Sequence, residues 1–165
     1  MGTYKRRIVR EKVLQALYAY ELSNEPITSV VENIFANPKL EEEDFKFARK
    51  LIYDVIEHRE ELEKYIRHKV AHWELERIAT IDKILLQMGI CEMLYFPDIP
   101  PKVTINEAIE VAKVFSTERS GKFINGILDA IMDDLRAAHA LPKTGRGLLT
   151  ESLPHTITPS EKTET

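Results

Sequence analysis

The sequence predicts an all-α protein. Apolar residues recur at three- and four-residue spacing through most of the first 137 positions, and no alternating strand pattern with a hairpin turn occurs. The prolines agree with this. Pro26, Pro38, Pro97, Pro100 and Pro101 punctuate helical patterns, and none falls between Pro38 and Pro97.

The first helix is expected from about Lys5 to Leu22, where Val9, Val13, Ala16, Leu17 and Tyr20 form one apolar stripe. A short second helix covers Ser29 to Ala36, with Val30, Val31, Ile34 and Phe35 inward and Asn37-Pro38 as its stop. A third starts near Glu42 on Ala48, Leu51, Ile52, Val55 and Ile56, and continues through Leu62, Ile66 and Val70 with a break near His58. Leu75 to Phe96 is the most apolar stretch. Ile78, Ile81, Leu85 and Met88 make one stripe, and Leu86, Ile90 and Met93 a second, which predicts a central helix buried on two sides. Thr104-x-x-Glu107 reads as a capping box opening a helix on Ile105, Ala108, Ile109 and Ala112. Ser120 is the expected cap of the last helix, whose stripe is Ile124, Ile127, Leu128, Ile131 and Leu135. Gly126 inside that helix costs up to about 1 kcal/mol relative to alanine, and a close helix crossing is its simplest explanation. The helical pattern stops near His139. Residues 1–138 are therefore read as one helical domain and 139–165 as a flexible tail holding three prolines, two glycines and six threonines.

Composition narrows the function. The 165 residues carry 23 Lys+Arg against 27 Asp+Glu, a formal charge of −4. That acidity speaks against coating nucleic acid by bulk charge. A single cysteine, Cys91, excludes an intrachain disulfide and a cysteine-rich zinc cluster. It lies between Ile90 and Glu92 and reads as a small core residue, not a nucleophile. The N-terminus lacks the apolar core of a secretory signal, and no stretch reaches the roughly 18 apolar residues of a membrane span. The expected location is cytoplasmic, with no membrane contact. None of the six glycines forms a phosphate-cradling loop, so no nucleotide cofactor is expected.

The charge is unevenly spread. Residues 1–20 hold Lys5, Arg6, Arg7, Arg10 and Lys12 against Glu11 alone, a local +4 that leaves −8 on the rest. Cations at a helix N-terminus oppose its dipole, so they invite a functional reason. Tyr18 lies about 20° from Arg7 around the helix. Guanidinium groups grip phosphates and rings stack on bases. A solvated charged face explains the same spacing equally well. A second cluster links the last two helices: Lys113, Phe115, Arg119, Lys122 and Phe123 interleave cations with rings, as single-stranded RNA platforms do. From spacing alone, the two rings are better read as plugs between helices. Asp82 and Glu76 are candidate acidic contacts for a basic partner, with solvated helix charges as the default. His68-x-x-x-His72 has zinc-like spacing and Glu74 and Glu76 nearby, but Lys69 stands where a general base belongs, so no metal site is assigned.

Several segments also point to a family. They are Gln15-Ala16-Leu17-Tyr18 after the arginine-rich start, Trp73 ahead of Ile81-Asp82-Lys83-Ile84-Leu85-Leu86, Cys91-Glu92-Met93-Leu94 and Asp98-Ile99-Pro100. Thr104-Ile105-Asn106-Glu107-Ala108-Ile109-Glu110-Val111-Ala112-Lys113 follows, then Gly121-Lys122-Phe123-Ile124-Asn125-Gly126-Ile127-Leu128-Asp129. In this order and spacing, residues 5 to about 137 resemble the NusB family of bacterial transcription antitermination factors. The resemblance implies a seven-helix fold, two perpendicular three-helix subbundles joined by a helix, without catalysis. It implies pairing with the ribosomal protein NusE, binding of single-stranded boxA RNA in nascent ribosomal RNA, and loading of an antitermination complex on RNA polymerase. By position, Lys5, Arg6, Arg7 and Arg10 match the arginine-rich RNA contact; Phe115, Lys122 and Phe123 match the RNA-facing junction; Tyr18, Glu76 and Asp82 match the NusE surface. Arg119 stands where some relatives have an acidic residue, which implies stronger RNA binding without the partner. The resemblance admits a monomer or a homodimer. Two other readings are a helical adaptor that binds only protein and a relative of the N-terminal domains of ribosomal RNA methyltransferases.

Overall fold

The computed structural model describes residues 2–36 and 40–149, and among these it contains eight α-helices and no strand. The helices are α1 (Gly2–Leu22), α2 (Ile27–Ile34), α3 (Glu42–Glu57), α4 (Arg59–Arg67), α5 (His72–Arg77), α6 (Thr80–Tyr95), α7 (Pro101–Phe115) and α8 (Glu118–Ala137). A 3-10 turn follows at Gly145–Leu148. The expected stop at Asn37-Pro38 and the tail from residue 150 lie outside the described residues.

Two groups of helices meet on α6. In the first, α1 packs on α2 and α3; in the second, α6, α7 and α8 pack on one another. α4 joins them by packing on both α3 and α6, and α1 and α3 also touch α6 directly. The apolar stripes explain this arrangement. Val9, Val13, Ala16 and Leu17 of α1 are buried, as are Ala48, Leu51, Ile52 and Val55 of α3 and Ile124, Leu128, Ile131 and Leu135 of α8. The double stripe of α6 has its predicted consequence. Every residue from Ile84 to Met93 is buried, because neighbours cover the helix on all sides. The break at His58 is present and separates α3 from α4.

Four local expectations differ from the structure. The central helix starts at Thr80, and Ile78 is extended (φ −62°, ψ 125°), which separates the short α5 from α6. α7 begins at Pro101, a favoured first helical position because its missing N–H needs no partner. Thr104 and Glu107 are therefore inside the helix and form no capping box; both are buried on side-chain partners. The cap of α8 is Thr117, whose hydroxyl accepts from the Ser120 N–H at 3.0 Å. Ser120 is thus freed to use its own hydroxyl elsewhere. Finally, Gly126 is exposed with open space where a Cβ would go. The close crossing is at Gly89, where a Cβ would lie 2.8 Å from a Leu128 methyl, so α6 and α8 approach through that glycine.

α8 ends in a Schellman turn. The His139 N–H donates to the Arg136 carbonyl and the Ala140 N–H to the Leu135 carbonyl, with His139 left-handed at φ 51°. The turn sends the chain back across the fold. The expected tail does not begin at His139: residues 141–149 lie against the end of α6, with Lys143 and Gly147 buried.

Candidate nucleic-acid interface

Four of the five cations near the start of α1 are paired with a carboxylate from another part of the chain. Lys5 Nζ donates to Glu41 at 2.9 Å, and Arg6 Nε to Asp44 at 3.3 Å. The Arg7 guanidinium forks onto Glu107 of α7 at 2.9 and 3.1 Å. Arg10 forks onto Glu92 of α6 at 2.6 and 3.0 Å. Burial increases along this series. Lys5 is exposed, Arg6 and Arg7 are half-buried, and Arg10 retains only 4% of its accessibility. The Lys5–Glu41 hydrogen bond raises the lysine pKa and lowers that of the carboxyl. Glu107 likewise raises that of Arg7 through its hydrogen bonds. At Arg10 desolvation works against the charge, but the charge and hydrogen bonds of Glu92 outweigh it.

Arg10 therefore sits in the core and not on the expected RNA face. Its position on α1 explains this: Leu17, seven residues on, lies about 20° from it around the helix, within the buried stripe. Glu92 is 2% exposed and also accepts from the Thr104 hydroxyl at 3.2 Å. Phe47 of α3 packs under both arginines, its ring 4.2 Å from Arg6 Cζ and 5.2 Å from Arg10 Cζ.

α7 connects this cluster to the second one. Glu110, one turn beyond Glu107, accepts from Lys113 at 3.0 Å and has a lowered pKa, chiefly from that bond and with a contribution from Arg7. Glu107 and Phe115 are eight residues apart, about 12 Å along the axis. Phe115 and Phe123 are partly buried against the core, so each ring plugs the α7–α8 junction and keeps only part of its surface available. Arg119 and Lys122 are exposed and form no ion pair among the described residues.

The three expected partner contacts occupy different settings. Tyr18 is 37% exposed on α1. Glu76 is exposed on α5, its carboxylate 3.6 Å from His72. Asp82 is not a surface residue. It is 7% exposed, and its Oδ2 accepts from the Ser120 hydroxyl at 2.7 Å while Oδ1 has no partner among the described residues. Ser120 in turn receives the Ser116 and Thr117 hydroxyls at 2.9 and 3.1 Å. Asp82 thereby fastens the α7–α8 junction to the start of α6. Cys91 is fully buried, and desolvation pushes its thiol pKa well up, as befits a core residue. His68 and His72 do not gather with a third ligand among the described residues. Asp54, Glu57 and His58 do lie close together, but Lys50 already neutralises Asp54 at 2.6 Å.

Sequence reading missed Glu41, Asp44, Glu92 and Glu107 as the partners of the basic helix. One of them left a signal. Glu92 is a single carboxylate in the otherwise apolar Met88–Leu94 run, and a charge buried there requires a cation.

These features define an all-helical protein whose candidate site is a charged surface shared by α1, α7 and α8. Residues 7–133 match the model of the NusB family. The chain is 44% identical over 147 residues to the transcription antitermination protein NusB of Chloroherpeton thalassium, covering 87% of this chain and 69% of that one. Its fold is similar to T. maritima NusB (TM-score 0.73, 35% identity), covering 78% of this chain and 91% of that structure. It is also similar to the NusB chain of antitermination factors NusB and NusE in complex with double-stranded RNA (TM-score 0.71, 21% identity), covering 81% and 99%; that likeness carries the fold. The chain belongs to the NusB family of transcription antitermination factors, which are not enzymes.

Proposed function

We propose that this chain binds boxA-type single-stranded RNA of nascent ribosomal transcripts together with a NusE-type ribosomal protein, and helps to load an antitermination complex on RNA polymerase. The observation that carries the reading is the linked charged surface. Arg7 meets the middle of α7 at Glu107, with Arg6 and Lys5 beside it on α1, and Lys113, Phe115, Arg119, Lys122 and Phe123 lie at the C-terminal end of α7 and the start of α8. The exposed cations attract phosphate in a salt-dependent way, and the open edges of the rings take bases. Arg10 supports Arg7 and Arg6 from below. Tyr18 and Glu76 are the surface groups offered to the basic protein partner. Asp82 acts on that partner indirectly, by holding the junction in place. Membership of the NusB family of transcription antitermination factors supports the reading.

The test is a titration of labelled single-stranded boxA RNA at several salt concentrations, with and without purified NusE-type protein. The expected result is salt-dependent binding that the partner strengthens. Absence of binding at low salt in both arms would overturn the reading.

A further inference from the structure

Residues 141–149 lie beyond the part of the chain that matches the family model, yet Lys143 and Gly147 among them are buried against it. Lys143 is the centre of the contact. It is 8% exposed, and its ammonium donates to the carbonyls of Glu92 at 2.9 Å and Phe96 at 2.7 Å. Glu92 lies in the last turn of α6 and Phe96 is its C-cap; each carbonyl also accepts a backbone N–H, from Phe96 and Ile99 at 3.2 Å, so the ammonium is a second donor at the negative end of the helix dipole. The Thr144 N–H donates to the Pro97 carbonyl at 2.9 Å. Gly147 lies so close to that carbonyl that a Cβ would stand 1.9 Å from its oxygen. A side chain at 147 is therefore incompatible with the docked segment.

The two residues that Lys143 clamps are those that set the basic helix. The side chain of Glu92 holds Arg10. The ring of Phe96 meets Phe47 edge-on at 5.4 Å, and Phe47 lies under Arg6 and Arg10. We infer that segment 141–149 is a positioning strap: through Lys143 it fixes the Glu92–Phe96 turn, and through that turn it sets the arginines of the RNA-binding face without touching RNA itself. The strap rests on the proposed RNA-binding function, but its internal coupling does not.

The test uses the full chain with Lys143→Met, which removes the ammonium and keeps most of the stem, and Gly147→Val, which crowds Pro97 by an independent route. Two readouts are taken. The first is exchange of the Arg10 Nε–H, which Glu92 protects; both variants are expected to exchange it faster while the helical circular dichroism is retained. The second is affinity for single-stranded boxA RNA, expected to fall on the order of 3- to 10-fold with the same salt slope in both variants, because both displace the same arginines. Unchanged Arg10 exchange in both variants overturns the strap, whatever RNA does. A fall in salt slope with Lys143→Met that Gly147→Val does not reproduce also overturns it, since Lys143 would then be an RNA contact. Faster exchange with unchanged RNA affinity overturns its positioning role. If the unaltered chain binds no RNA, the functional reading fails, and the exchange measurement still decides the coupling.

Discussion

The two basic regions of the molecule carry the same kind of charge under opposite conditions. On α1, Lys5, Arg6, Arg7 and Arg10 each face a carboxylate supplied from elsewhere in the chain. At the α7–α8 junction, Arg119 and Lys122 are exposed without an ion pair among the described residues. A phosphate approaching Arg7 must displace or share Glu107, whereas a phosphate approaching Arg119 meets a guanidinium with no carboxylate partner among the described residues. The α1 cations thus bind helices together first and are available to RNA second. Counting charges along a sequence does not separate these roles; knowing what each charge faces does.

The comparison breaks most visibly at the buried end of α1. Glu92→Ala leaves Arg10 uncompensated and is expected to cost about 3–5 kcal/mol in urea unfolding. Replacing both partners, Arg10→Met with Glu92→Leu, is expected to recover most of that loss. A Glu92→Ala chain as stable as the parent would mean that the pair does not hold α1 to α6.

A smaller effect is expected where the junction is fastened. Ser120→Ala removes the hydrogen bond to Asp82, whose other oxygen is already unpartnered, and is expected to cost about 1–3 kcal/mol. Thermal unfolding of this variant beside the parent measures it.

The burial of Lys143 gives the strap an expected pH dependence. Burial lowers the Lys143 pKa to about 8, even though Glu92 and Asp98 face it and work in the other direction. An undocked lysine keeps its ordinary value near 10.5. Docking therefore releases a proton between these values, so it strengthens as pH rises from about 8 toward 10.5. The neutral amine still donates to both carbonyls. Protection of the Thr144 and Gly147 amides, corrected for intrinsic exchange, is expected to rise between pH 7.5 and 9.5, and the rise is expected to vanish in Lys143→Met.

The smallest effect on stability belongs to the free cations. Arg119→Ala with Lys122→Ala is expected to change unfolding by no more than about 0.5 kcal/mol, since neither side chain is buried or in an ion pair among the described residues. A larger loss would show that the junction cations are structural.

What the sequence revealed follows the same division. Helix faces were legible because burial imposes a period: most of the stripes of α1, α3, α6 and α8 are buried as spacing predicts, with Tyr20, Ile56, Ile78, Ile81 and Ile127 half-buried at their edges. Helix ends were less so. Thr104 and Ser120 look like caps locally, but Pro101 and Thr117 start the helices and leave those hydroxyls for Glu92 and Asp82. The cations of the site were legible as residues and not as roles. Arg10 and Arg7 are three positions apart, yet one is in the core and the other half-buried, and the carboxylates that hold them lie 82 and 100 residues away in the chain. The strap was hidden for the same reason. Lys143 has no periodic neighbours, and its partners are backbone carbonyls, which carry no sequence signature.

The most direct test of the difference between the regions is the salt slope of RNA binding. A neutralised cation contributes less to counterion release, because its freed carboxylate takes up a counterion as the phosphate loses one. Affinity for single-stranded boxA RNA is measured against salt for the parent, for Arg119→Ala with Lys122→Ala, and for Lys5→Ala with Arg6→Ala. The junction variant is predicted to lose about 1.4 from the slope, roughly 0.7 for each phosphate contact, and the α1 variant less than half as much. A loss in the α1 variant equal to or greater than that in the junction variant would contradict the account.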